Sequence, residues 1–314
     1  MTGKKIILAG GTGFIGEALV KYYAAENEVT VLTRNPAAGK PPAKYVYWNG
    51  ETFGGWEQLI DGADLLINLA GKSVNCRYTE ANKARIMASR VNSTKILGEA
   101  VKQAANPPAL WINTASATIY RHAEDRPMDE LTGEIQDDFS VQVCKQWEQA
   151  FNAADTPRTR KAILRTAITL GAHGGAMEPL LNMAKYALGG RQASGQQMFS
   201  WVHIEDFCRL TEWLFEHENA SGIYNCSAPQ PVTNETFMHT LRNVTGNKIG
   251  LPAPKWLLRI GATLIGTEIE LLVKSRWVVP TRLMQEGFRF YYPQLEPALE
   301  EIVHELPRRR YHLF

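Results

Sequence analysis

The apolar run Ile6-Ile7-Leu8-Ala9 breaks into Gly10-Gly11-Thr12-Gly13 and continues as a helical pattern with Phe14, Ile15, Ala18, Leu19 and Tyr22 on one side. A buried strand feeding a glycine turn and then a helix is the way a chain holds a dinucleotide pyrophosphate. Gly10, Gly13 and Gly16 give the spacing GxxGxxG rather than GxGxxG. The first glycine bends the turn, the second lets backbone N–H groups approach a phosphate, and the third lets the helix pack on the strand. A second strand over residues 29–32 completes the start of a βαβ unit. Thr12, Phe14 and Ile15 therefore join the three glycines as expected cofactor-binding positions.

Where that second strand ends, the chain reads Thr33-Arg34-Asn35-Pro36 and offers no acidic residue to bond an adenosine ribose 2′-hydroxyl. Arg34 suits a 2′-phosphate instead, because guanidinium on phosphate is a charge-assisted contact that NADP offers and NAD does not. NADP is the expected cofactor, ahead of NAD.

Strand-like and helix-like patterns alternate over about the first 170 residues, with strands expected near 5–9, 29–33, 44–48, 64–69, 109–114 and 161–168. A long helix is expected over 79–105, closed by Asn106-Pro107-Pro108. This alternation predicts an α/β fold, a Rossmann-like doubly wound parallel sheet with helices on both faces. After Gly171 the rhythm becomes less regular: a helix over 207–217 capped by Asp206, a strand Gly222–Cys226, a helix opened by Thr233, and Pro-punctuated helices from Leu251 onward. The expected division is a cofactor domain over 1–170, to which 203–230 returns, and a smaller, mostly helical substrate domain over 171–202 and 231–314.

The chain's 314 residues, 45% apolar and 21% charged, suit a globular protein with a sizeable core. A net charge of +2, with Arg308-Arg309-Arg310 the only basic cluster, argues against a nucleic-acid partner. Cys76, Cys144, Cys208 and Cys226 follow no CxxC or Cys/His spacing, so reduced thiols are expected, with no metal site and no disulfide framework. The apolar stretch over 256–265 carries Arg259 and is too short to span a bilayer, so no membrane association and a cytoplasmic location are expected.

Short blocks spread along the chain carry a specific resemblance. They are Gly10 to Gly16, Thr33 to Pro36, Asn68-Leu69-Ala70-Gly71, Ser89-Arg90-Val91 with Thr94, Ser116-Ala117 with Tyr120, and Cys144-Lys145 with Trp147-Glu148. Further on come Leu164-Arg165-Thr166, Phe199 to Ile204 with Asp206, and Pro280, Arg282-Leu283 and Gly287-Phe288 with Phe290. In this order they resemble the extended short-chain dehydrogenases of the NAD-dependent epimerase/dehydratase superfamily. More narrowly, the chain is similar to the atypical subgroup called epimerase family proteins, or nucleoside-diphosphate-sugar epimerases, which end in a small C-terminal domain of unknown function. The resemblance implies an NADP-binding sheet of about seven strands. It also implies oxidoreductase or epimerase chemistry on a carbonyl or secondary alcohol, in a small, anionic or nucleotide-linked substrate, and a homodimer built on the long helix.

That chemistry normally uses a tyrosine made acidic by a lysine four residues on, together with a Ser or Thr hydroxyl that polarises the carbonyl. None of the 11 tyrosines has a lysine four residues later. Aligning Glu148 with the acidic residue that often follows the pair puts Ser140 in the tyrosine's place and Cys144 in the lysine's, all on one helix face. Three readings stay open. In the first, Ser116 polarises the carbonyl and Tyr120 supplies the proton, although Ile119, Arg121 and His122 replace the subgroup's usual glycines and tyrosine around it. In the second, Lys145 or Cys144 acts directly, against which a turn of roughly 100° per residue aims Lys145 off that face. The third is a non-catalytic NADP(H) sensor or scaffold, as some relatives are labelled cell-division factors.

Other residues take lesser roles. Asn68, Ala70 and Gly71 are expected along the cofactor by backbone contact, and Arg165 and Thr166 near its nicotinamide, with Thr166 bonding the carboxamide. Lys72 and Arg77 could meet an anionic group. His203, bracketed by Val202 and Ile204, reads as a hydrogen-bonded structural residue.

Overall fold

The computed structural model describes residues 1–306; the arginine cluster at 308–310 lies outside the described residues. In chain order the strands are β1 (Lys5–Ala9), β2 (Glu28–Thr33), β3 (Lys44–Tyr47), β4 (Leu65–Asn68), β5 (Leu110–Ser116) and β6 (Arg160–Thr166). They continue as β7 (Ile168–Leu170), β8 (Met198–Phe199), β9 (Trp201–His203), β10 (Gly222–Cys226) and β11 (Val232–Thr233). The helices are α1 (Phe14–Tyr23), α2 (Glu80–Gln103), α3 (Phe139–Ala153), α4 (Met177–Lys185) and α5 (Ile204–Glu216). After them come α6 (Asn234–Val244), α7 (Lys255–Leu264), α8 (Glu270–Val273), α9 (Thr281–Gln285) and α10 (Leu295–Glu305).

Seven strands form one sheet in the order β10-β6-β5-β4-β1-β2-β3, every neighbouring pair parallel. The order reverses at β1, so the carboxyl ends of β1 and β4 flank a crevice, the place where doubly wound sheets take ligands. Burial on both faces explains the near-continuous apolar strands. Ile6, Leu8, Val31, Ile67, Ile112 and Leu164 point to the side covered by α1 and α5. Ile7, Leu32, Leu66, Trp111 and Ile163 point to the other, where Leu97 and Val101 of α2 and Phe151 of α3 meet them. Trp111 meets Phe151 edge-on at 4.6 Å.

The strand expected over 161–168 divides. β6 ends at Thr166, the Ala167 N–H bonds Cys226 O at 3.0 Å, and β7 leaves the sheet to pair with β9. That exit leads into a second cluster in which Leu180 and Leu181 of α4, Phe237 and Leu241 of α6 and Leu299 of α10 surround Trp201. The long helix expected over 79–105 runs over Glu80–Gln103, its start capped by Thr79 Oγ1 accepting from Asn82 N.

The helix expected to start after Asp206 starts earlier. Its cap is His203, whose Nδ1 accepts from Glu205 N at 3.3 Å, so the Asp206 assignment is corrected. Asp206 is buried and used elsewhere: its carboxylate accepts from Tyr291 N at 2.7 Å and Tyr292 N at 2.9 Å and pairs with Arg209 at 2.9 Å. Aspartate is as good a cap as any by propensity, but here two backbone N–H groups from the C-terminal segment claim it.

His203 has only 2% of its surface exposed, and its Nε2 lies 2.9 Å from Glu301 on α10. Burial pushes its pKa down to about 4, against about 6.5 in the unfolded chain. A neutral ring fits the bonds observed, since Nδ1 must keep its lone pair to cap α5. Between those two values the unfolded chain binds the extra proton, so stability is full above about pH 6.5 and falls as the pH drops towards 4. Going from about pH 7 to about pH 5 should cost on the order of 2 kcal/mol through this residue. Thermal melts of wild type and His203→Gln at both pH values check this, and the wild-type protein should show the larger acid loss.

Candidate functional site

The site is assembled from strand tips at the carboxyl edge of the sheet. At β1, Gly10 adopts φ +78°, and a Cβ there would lie 2.8 Å from Ala70 Cα, so only glycine allows the turn to press against the β4 tip. Gly16 is closer still: its Cβ would lie 2.3 Å from Gly11 O. Gly13 differs from both. It is the N-cap of α1 with φ −94°, makes no side-chain cap, and has no atom within 4 Å of where its Cβ would point. The first N–H groups of α1, on Phe14, Ile15 and Gly16, are left without a side-chain cap, with the helix's positive end behind them. Thr12 is exposed beside them, while the Phe14 ring packs under Gly171, Gly174 and Gly175 and the Ile15 side chain packs on the core.

At β2, Arg34 is exposed and makes no hydrogen bond or ion pair among the described residues. At β4, Asn68 is fully buried. Its Nδ2 donates to Thr94 Oγ1 at 3.0 Å and Asn113 Oδ1 at 2.8 Å, and its Oδ1 accepts from Ala70 N at 3.1 Å. Asn68 therefore acts on the site through the chain it fixes, holding Ala70 and Gly71 against the glycine turn. At β5, Ser116 is half-buried and its Oγ accepts from Thr118 N at 3.2 Å. Thr166 at the β6 tip turns its hydroxyl back to Leu164 O at 3.1 Å.

Two expectations are corrected by burial. Tyr120 has 2% exposure; its hydroxyl donates to Asn225 Oδ1 at 3.0 Å and accepts from Arg165 Nη1 at 2.9 Å. Burial raises its pKa, and the phenol is an internal strut rather than a proton donor to a ligand. Arg165 does not reach the cofactor crevice with its side chain either. Its Nε and Nη2 form a bidentate pair with Glu148 of α3, both bonds 2.8 Å, and its guanidinium carbon lies 5.1 Å from the Tyr120 ring.

On α3, Ser140, Cys144 and Glu148 do share a face, but they do different things. Ser140 Oγ donates to Glu270 of α8. Cys144 is buried, and desolvation pushes its thiol up to about 12, so it is neutral and inert at ordinary pH. Lys145 points outward to Asp137 at 3.3 Å. Lys72 places its Nζ 3.7 Å from Cys76 Sγ, and Arg77 pairs with Glu268 at 3.3 Å. Among the described residues no group of His, Cys, Asp or Glu converges to hold a metal, and all four cysteines are unpaired.

Three residues outside the expected set stand at this edge. Tyr78 is half-buried, edge-on to Phe139 at 5.1 Å, with its hydroxyl beside Ser140. Arg276, from the segment after α8, donates through Nε to Thr118 Oγ1 at 3.2 Å. Arg90 of α2 lies over Trp147 and Gly71. The sequence did hold a signal for it: Ile86, Arg90 and Thr94 recur at four-residue steps, putting an arginine in the buried stripe of α2. Beyond them opens a cleft of about 440 Å³ whose lining includes His122, Asp138, Ser194, Lys255, Glu270 and Lys274. Lys274 is paired with Asp138 at 2.8 Å, whereas Lys255 has no ion pair among the described residues.

Comparison with known proteins agrees with this geometry. Residues 6–227 match the NAD dependent epimerase/dehydratase family, and residues 253–302 match a domain of unknown function. An epimerase family protein of Staphylococcus saprophyticus is 32% identical over 303 residues, spanning 96% of this chain and 100% of that protein. The crystal structure of human epimerase family protein SDR39U1 with NADPH superposes with a TM-score of 0.83 at 28% identity, covering 96% of this chain and 100% of that one. A nucleoside-diphosphate sugar epimerase from Corynebacterium glutamicum gives 0.73 at 27% identity, covering 97% of this chain and 58% of that one. No helix among the described residues is long and apolar enough to cross a membrane.

Proposed function

The chain belongs to the NAD-dependent epimerase/dehydratase family, and on that premise we propose that it binds NADP(H) and acts as an oxidoreductase or sugar-nucleotide-type epimerase on a carbonyl or secondary alcohol. The observation that carries the cofactor half is the uncapped start of α1 at Gly13, open to the crevice, with the unpaired Arg34 at the neighbouring strand tip. Bare N–H groups at a helix N-terminus suit a diphosphate, and the free guanidinium suits a 2′-phosphate. The human relative was crystallised with NADPH, which points the same way.

Bound nicotinamide would supply or accept the hydride. Ser116, at the β5 tip, would polarise the reacting carbonyl. With Tyr120 committed to Arg165 and Asn225, the proton comes in this reading from Tyr78. Its phenol stands beside Ser140, and Ser140 and Glu270 lead from it to the cleft. Lys255 on the cleft wall favours an anionic substrate.

The test uses NADPH deuterated at C4, incubated with the protein and a small-molecule extract. As an oxidoreductase, wild type should pass deuterium to a metabolite detectable by mass spectrometry; as an epimerase, which returns to its substrate the hydride it takes, it should with NADP+ convert a metabolite to its epimer, and Ser116→Ala should do neither. Arg34→Ala should weaken NADPH roughly ten- to a hundred-fold, the size of a charge-assisted hydrogen bond of about 1.5–3 kcal/mol, and leave NADH nearly unchanged. A non-catalytic NADP(H) sensor or scaffold is the second reading. Ser140 and a neutral Cys144 thiol favour it, standing where a phenol and an ammonium would be. It predicts NADPH binding with neither label transfer nor epimer formation for any metabolite.

A further inference from the structure

Arg90 is a partly buried cation with no anion beside it among the described residues. Its Nη1 donates to Lys72 O at 3.0 Å and Ile86 O at 3.1 Å, and its guanidinium carbon lies 5.1 Å from the centroid of the Trp147 ring. Among the described residues no carboxylate pairs with it, and its Nε and Nη2 donate to nothing. Desolvation lowers its pKa. A guanidinium with two nitrogens unpaired by the protein is free to make charge-assisted hydrogen bonds to an anion.

Its direction is fixed. A Cβ on Gly71 would lie 3.0 Å from Arg90 Cζ, 3.2 Å from Nη2 and 3.3 Å from Nε. The two unbonded nitrogens therefore lie over the backbone at the β4 tip, across the crevice from the glycine turn. Cys144 occupies the α3 position where the superfamily's lysine is expected, and its buried thiol, pushed up to about 12, is neutral. The short thiol leaves that position without charge, while α2 brings a guanidinium against Trp147 of the same α3 face region and over Gly71.

We infer that Arg90 supplies the cation that Cys144 cannot, its Nε and Nη2 binding the oxygen atoms of the ribose-phosphate at the nicotinamide end of the dinucleotide. This rests on the NADP(H) reading and adds a second anchor to it. Arg34 and the α1 N-terminus hold the adenosine half and the diphosphate, and Arg90 fixes the half that reacts.

Calorimetry with three probes tests it: NADPH, adenosine 2′,5′-bisphosphate, and reduced nicotinamide mononucleotide. Arg90→Gln should weaken NADPH at least about tenfold, abolish binding of the mononucleotide, and leave the bisphosphate within about twofold, because one charge-assisted contact is lost at one end only. Arg90→Lys, which keeps the charge without the planar fork, should fall between. Emission from Trp147, isolated as the difference between wild type and Trp147→Phe, should change with NADP+, whose oxidised ring does not absorb in the tryptophan emission band, and not with the bisphosphate. That measurement decides the matter if Arg90→Gln does not fold. Unchanged NADPH affinity in Arg90→Gln, equal weakening of NADPH and the bisphosphate, or a silent Trp147 would overturn the inference while leaving the NADP(H) reading standing. Wild-type protein that binds none of the three probes would sink both.

Discussion

Glu148→Ala should be the most damaging single substitution away from the crevice, lowering stability by about 3–5 kcal/mol, the usual effect of stripping one partner from a buried ion pair. Glu148 and Arg165 are 9% and 7% exposed at their side chains and share two 2.8 Å bonds. Without the carboxylate the guanidinium stays buried with only the Tyr120 oxygen to serve it. The damage would spread because the same arginine ties α3 to β6, to the segment after β5 and, through Tyr120 and Asn225, to β10. In a thermal melt the loss should read as a midpoint lower by on the order of 10 °C. Replacing both partners, Glu148→Met with Arg165→Met, should cost clearly less than the two single changes added together, since no charge is then left unpaired. If Glu148→Ala melts with the wild type, the pair does not have the weight assigned to it. Tyr120→Phe separates this strut from catalysis: it should cost stability by about 1–3 kcal/mol for the polar groups left unpaired, while cofactor affinity stays as it was.

Gly13→Asp should abolish dinucleotide binding and leave the fold intact, whereas Gly16→Ala, three residues on, should injure the fold itself. The contrast follows from what surrounds each glycine. A side chain at Gly13 meets no protein atom within 4 Å and needs no unusual backbone angle. An aspartate there is a good N-cap and a negative charge at the positive end of α1, so the unliganded protein should be as stable as wild type or slightly more so. That same carboxylate takes the N–H groups and repels a diphosphate, which should cost at least about a hundredfold in affinity. At Gly16 an added methyl would overlap Gly11 O, forcing the first turn of α1 off the strand at a cost of roughly 2–3 kcal/mol. Melting curves together with NADPH titrations of both variants check the pair. Binding retained in Gly13→Asp would remove the helix N-terminus from the account.

The parallel sheet was legible because each strand is an apolar run ended by turn residues, a local signal that burial on both faces makes strong. The βαβ start was legible for the same reason: strand, glycines and helix follow one another within a dozen or so residues. Side-chain direction at the strand tips was not. Tyr120 and Arg165 sit at the right edge by position, but they meet each other 45 residues apart in sequence, and Glu148 turns Arg165 inward from a helix between them. Asp206 failed as a cap for a related reason, since the N–H groups that claim it come from Tyr291 and Tyr292. Tyr78 and Arg276 reach the site from segments whose partners, Ser140 and Thr118, lie on other elements. No periodicity reports such a meeting.

Direct titration of the purified protein with NADPH and with NADH tests the central claim that the α1 N-terminus and Arg34 together hold a phosphorylated nicotinamide dinucleotide. Saturable binding of NADPH, tighter than that of NADH, is the predicted result; no heat of binding with either cofactor would contradict it.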